Sequence, residues 1–136
     1  MARMARRTLL SKPDAPALTA IMDEAVLRRP IGGPAVMREQ LEELLRPRGN
    51  VTVRVVPFTV GAFPGLEGGF TLLDFPDQTT FPTEVYAESI AGDLYPEAAD
   101  QITRINLAFE RIEELALPPG QSSDLIRRAI EELPGP

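Results

Sequence analysis

The sequence predicts an α+β fold: a curved antiparallel β-sheet packed by amphipathic helices, with two helices at the C-terminal end. Three observations carry this expectation. "VTVRVVPF", Val51 to Phe58, is rich in β-branched residues and alternates, with Val51, Val53 and Val55 on one face. "FTLLDF" and "TEVYAES" follow as two further short strand-like segments, separated by Gly- and Pro-rich connections. Ile102, Ile105, Phe109, Ile112 and Leu115 then recur at the period of one helix face.

In chain order, Met1 to Leu10 carries arginines and small residues at helical spacing, and Pro13 with Pro16 ends that segment. "ALTAIMDEAVL", Ala17 to Leu27, contains a short apolar run that reads as a strand followed by a polar turn. "RRPIGGP" breaks the chain and leaves Pro34 at the first turn of a helix reaching about Arg46, with Val36, Met37, Leu41, Leu44 and Leu45 as its stripe. The strand Val51–Phe58 is expected to pair with Phe70–Phe75 as a hairpin, and Thr83–Ser89 to complete a three-stranded meander. Pro96 is expected to open the long helix. "LPPGQSS" stops it, and Ser122 or Ser123 is expected to cap a last helix bearing Leu125, Ile126 and Ile130.

Composition narrows the function. The chain of 136 residues suits one domain, 1–136, and its 43% hydrophobic and 25% charged fractions are those of a soluble globular protein. A net charge of −6 offers no basic surface for nucleic acid. No apolar run reaches membrane-spanning length and no signal peptide is evident, so a cytoplasmic address is expected. Cysteine and histidine are both absent, which removes thiolate and imidazole ligands, Ser-His and Cys-His catalysis, and disulfides. No metal and no cofactor is expected. Any acid or base must be Asp, Glu, Tyr or the single lysine, Lys12.

The loop "GAFPGLEGGF" looks at first like a phosphate cradle. It lacks GxxxxGK[ST], runs into a strand rather than a helix, and carries only Glu67 as a charge, which repels anions. Turn geometry is the better reading of its glycines. Phe58, Phe63 and Phe70 gather around it, as ordinary core or as an apolar mouth. Asp23 and Glu24 stand at ion-pair spacing from Arg28 and Arg29. Glu84, Tyr86 and Glu88 share one strand face, and Arg54 sits mid-strand, either snorkelling or paired with Glu88 or Asp74. Tyr95, before the long helix, is a packing lid or a hydrogen-bond donor to a ligand.

"DEAVLRRPIGGPAVMREQLEELL", "NVTVRVVPFTVGAFPGLEGGFTLLDFP" and "VYAESIAGDLY" together resemble the C-terminal domain, of unknown function, of actinobacterial XRE-type helix-turn-helix regulators. The resemblance runs from about Arg3 to Leu133. It implies a signal-sensing domain that follows a DNA-binding head. The head and the helical segment that usually opens the domain are not in this sequence, and Phe63 stands where the family usually has histidine. DNA binding by this chain alone is therefore not expected.

Three functions follow as expectations. The first is the effector-binding sensor of such a regulator. The second, slightly favoured, is a cofactor-free cyclase (pericyclase) of a polyketide pathway, promoting an intramolecular cycloaddition of a hydrophobic polyene or macrolactone by shape and one hydrogen bond. The third is a dimerisation module. For the cyclase, Tyr86 and Tyr95 are the candidate catalytic donors. Phe58, Phe63, Phe70, Leu72, Glu88, Arg54 and Met22 are the candidate substrate-binding residues, the aromatics, Leu72 and Tyr86 walling an apolar cavity between sheet and long helix. The expected partner is a hydrophobic small molecule, with no nucleic acid and no membrane, and a homodimer is compatible with the sequence.

Overall fold

The structure, a computed structural model, describes residues 2–135. Five helices alternate with two small sheets, a parallel pair and an antiparallel trio, and two helices close the chain. The chain divides into two compact units. Unit 1 runs to Thr59 and resumes at Ala116; unit 2 is Val60–Leu115.

Unit 1 is built on a β-α-β crossover. Strand β1 (Leu18–Asp23) leads through the short α2 (Ala25–Arg28) and α3 (Pro34–Leu45) to β2 (Val51–Val56), which returns parallel to β1 with Leu18 opposite Val51 and Asp23 opposite Val56. Parallel neighbours require such a crossover, and the breaker cluster between α2 and α3 turns the chain. Pro34 starts α3 as expected, since its missing N–H has no partner to lose there. Met37 and Leu41 from α3, Leu27 from α2 and Val55 from β2 meet Leu125, Ile126 and Ala129 of α5 (Pro119–Glu131) in one buried core. Helix α1 (Ala2–Leu9) precedes β1, and Arg7 on it donates to Glu43 of α3 at 2.7 Å.

The expected hairpin between Val51–Phe58 and Phe70–Phe75 does not form. Strand β2 pairs with β1, whereas β3 (Phe70–Leu73) pairs antiparallel with β4 (Glu84–Ser89). Alternation identifies a strand but carries no information on its partner. The glycine segment is consequently a connector rather than a hairpin loop, with a 3-10 turn at Pro64–Glu67. Gly61 has φ 75°, the left-handed region that glycine enters freely. Gly65 serves differently: a Cβ there would lie 2.4 Å from Phe63 Cε2, so the bare backbone is what lets that ring lie across it.

In unit 2, β5 (Gly92–Leu94), unanticipated from sequence, adds antiparallel to β4, giving the order β3-β4-β5. Helix α4 (Ala99–Leu115) begins at Ala99 rather than Pro96 and packs on the Pro64–Glu67 turn. Its Phe109 meets Phe70 edge-on, with ring centroids 6.5 Å apart. Among the described residues no helix is long and apolar enough to cross a membrane.

Ser122 and Ser123 do not cap α5. Pro119 occupies the first turn, so the helix begins earlier and Ser122 lies inside it, fully buried.

Candidate functional site

The register of unit 2 decides which candidate side chains share a surface. Residues opposite one another in an antiparallel pair project to the same face, and neighbours along a strand to opposite faces. Phe70 faces Ala87 and Leu72 faces Val85, so these four form one face, which turns its Phe70 to α4. Thr71 faces Tyr86, and Glu88 faces Asp93, so these form the other. Tyr95, next after β5, continues that register beside Tyr86, with ring centroids 5.3 Å apart and planes tilted 53°.

This overturns the single expected cavity. Tyr86 cannot wall one pocket with Phe70 and Leu72, because a period of two places it on the reverse of the same sheet. Strand assignment alone gave the correct alternation but not the partners that orient it.

The tyrosine face is acidic and open. Tyr86 is half-buried and Tyr95 is 65% exposed. The Tyr86 hydroxyl donates to Glu88 Oε1 at 3.0 Å. That bond to a carboxylate holds the phenol proton. Partial desolvation and the charges of Asp93 and Glu88 act in the same sense, and the group is pushed up to about 12. A hydroxyl has one proton to donate, and here Glu88 holds it.

The remaining candidates divide between the units. Phe63 is half-buried in unit 2 over Gly65. Met22 on β1 packs against the core of unit 1. Phe58, also in unit 1, has a 56% exposed side chain, and its backbone N–H donates to Glu24 Oε1 at 3.0 Å. Arg54 reaches main-chain acceptors: Nε donates to the Leu117 carbonyl at 2.9 Å and Nη2 to the Ala116 carbonyl at 2.8 Å. Asp74 accepts from Thr83 Oγ1. The carbonyls of the segment leading into α5 lie along the outer edge of β2, which is where a mid-strand guanidinium finds acceptors without crossing the core.

Sequence reasoning missed a cleft in unit 1. It has a volume of about 190 Å³ and is lined by Leu27, Pro30, Pro34, Ala129, Leu133 and Pro134, with Arg28 and Glu132 beside them. The breaker cluster and the end of α5 supply the prolines, whose rigid rings cannot close over the gap. Arg28 is held by two carboxylates: its Nε donates to Glu24 Oε2 at 3.3 Å, and its Nη1 to Glu132. Glu24 is buried, so the chain Phe58 N–H, Glu24, Arg28, Glu132 joins the end of β2 to the cleft. The Glu24–Arg28 spacing was legible as an ion pair. The cleft was not, because its walls come from segments about a hundred residues apart. Among the described residues no group of three His, Cys, Asp or Glu side chains is placed to hold a metal ion.

No curated protein and no solved structure matches the chain. One family does, a domain of unknown function, DUF5753, over residues 1–128. That span runs from α1 through both sheets into α5, nearly the whole of the sequence. The chain is therefore a member of the DUF5753 family.

Proposed function

We propose that the chain is a ligand-binding regulatory domain, the effector sensor of an XRE-type helix-turn-helix regulator, and that its effector occupies the cleft of unit 1. The observation that carries this reading is the cleft itself: an apolar floor continuous with the core, and one guanidinium at its wall. Among the described residues no acceptor is found for Arg28 Nη2, which leaves a donor for a carboxylate. The volume sets the ligand's size. About 190 Å³ is the liquid volume of roughly six waters, below the roughly 300–1,000 Å³ that encloses a drug-sized molecule. A short branched or aromatic acid fits this chemistry, and a macrolactone does not fit this cleft.

The cyclase is the second reading and rests on composition, since a pericyclic reaction needs neither histidine nor cysteine. It has less support. Its donor Tyr86 already gives its proton to Glu88, and Tyr95 stands in solvent rather than in a dry site.

The test uses the absence of tryptophan. Pro134→Trp, at the exposed rim of the cleft, introduces a single fluorophore. Isovalerate and benzoate are expected to shift its emission saturably, and Arg28→Leu in that background to weaken binding at least several-fold. A flat titration with both acids, or equal binding by the Arg28→Leu chain, would exclude the cleft as the effector site. Turnover of a polyene macrolactone by the pure chain faster than in buffer would replace the sensor with the cyclase.

A further inference from the structure

Taking the cleft of unit 1 as the effector site, we infer that its ligand is a zwitterion, a free α-amino acid with a short branched side chain, and that Glu132 receives the ammonium group. The observation behind this is a pair of opposite charges on one apolar wall. Arg28 and Glu132 both line the cleft, and Arg28 Nη1 donates to Glu132.

Charge decides between a simple acid and an amino acid. Glu24 is buried, and its carboxylate accepts from the Phe58 N–H at 3.0 Å and from Arg28 Nε at 3.3 Å. That pair is neutral and fixed, because separating it would leave a buried carboxylate without its cation. Glu132 is then the surplus charge. Its side chain is 64% exposed, and among the described residues its carboxylate meets no cation other than Arg28. Together Glu24, Arg28 and Glu132 carry one net negative charge. A monocarboxylate bound to Arg28 brings a further negative charge beside Glu132, and the two repel. A zwitterion adds no net charge. Its ammonium also gives Glu132 a partner as the ligand carboxylate draws on Arg28.

The guanidinium geometry favours the same ligand. Arginine offers a carboxylate two forks, Nε with Nη2 and Nη1 with Nη2. Here Nε serves Glu24 and Nη1 serves Glu132, so Nη2 is the arm common to both forks. A ligand carboxylate completes the second fork when Glu132 turns away from Nη1. Glu24 is buried and bonded to backbone, whereas Glu132, at the C-cap of α5, is exposed and able to turn. It then stands next to the ligand carboxylate, and an α-amino acid carries its ammonium on the adjoining carbon. Leu27, Ala129 and Leu133 receive the side chain, and a volume of about 190 Å³ limits it to a short one.

L-Valine and isovalerate share the branched chain and the carboxylate, and only valine has the ammonium, so the two separate this inference from the sensor reading beneath it. In the Pro134→Trp chain at neutral pH and low ionic strength, valine is expected to bind about two- to five-fold more tightly than isovalerate. Glu132→Gln in that background is expected to weaken valine and to favour isovalerate, whose rival for Arg28 has lost its charge, so that the preference disappears. Circular dichroism checks that this variant keeps its helix content. Saturation-transfer NMR with both ligands and the chain retaining Pro134 should give the same order. Binding of isovalerate with equal or weaker binding of valine overturns the inference and leaves the sensor reading standing. So does a preference for valine that survives Glu132→Gln, since the ammonium would then be held elsewhere. Binding of neither ligand removes the cleft as the effector site, and this inference with it.

Discussion

Ser122 Oγ accepts the Val55 backbone N–H at 3.0 Å, joining the first turns of α5 to the outer edge of β2. The same hydroxyl donates to the Leu117 carbonyl at 3.1 Å, and Leu117 N–H donates back to the Val55 carbonyl at 2.9 Å. Both Val55 and Ser122 are fully buried, so one side chain completes the hydrogen bonding of a strand edge from which water is excluded.

Ser122→Ala is therefore expected to destabilise the chain by about 1–3 kcal/mol, because it strands the Val55 donor while leaving the Leu117 carbonyl its bond from Arg54. Urea unfolding followed by circular dichroism measures this. An unchanged midpoint would mean that Val55 finds another acceptor and that the edge is not closed by this residue.

Arg54 offers a sharper division between structure and site. Its donors serve the Ala116 and Leu117 carbonyls, so Arg54→Met should lower the unfolding free energy by about 1–3 kcal/mol and leave isovalerate binding at the cleft intact. Arg54→Lys, which keeps a charge but loses the fork, should fall between the two. Loss of ligand binding with an unchanged urea midpoint would return Arg54 to a binding role.

Tyr86 makes the pH dependence testable. Its phenol, held chiefly by the Glu88 hydrogen bond, rises from 10.0 to about 12. A group whose pKa is higher in the folded chain stabilises it fully below the unfolded value and loses that contribution as pH climbs through the folded value. The window is accordingly pH 10 to about 12, and near neutrality this group contributes no pH dependence. In a Tyr95→Phe background, phenolate absorbance should show a midpoint near 12, moving down toward 10 when Glu88→Gln is added. A midpoint already at 10 in the parent would mean that the Tyr86–Glu88 bond does not persist in solution.

Much of this protein is local and was readable from its residues. The stripe Met37, Leu41, Leu44 and Leu45 announces α3, Pro34 marks its start, and Ile102, Ile105, Phe109 and Ile112 announce α4, because helix periodicity and first-turn chemistry are properties of neighbouring residues. The strands at Leu18, Val51, Phe70 and Glu84 and the Glu24–Arg28 pair follow from the same local rules. Tertiary structure decided what each strand touches. Val51–Val56 alternates equally well for either partner, and its pairing with β1 rather than β3 depends on the crossover that brings α3 and α5 onto one core. The β3–β4 register separates Tyr86 from Phe70, and the packing of α5 on β2 brings the Ala116 and Leu117 carbonyls to Arg54. It also buries Ser122 and leaves a cleft between Leu27 and Leu133. Side-chain direction has a period of two and is local, but the identity of the facing strand comes from contacts distant in sequence, and it is that identity which assembles a site.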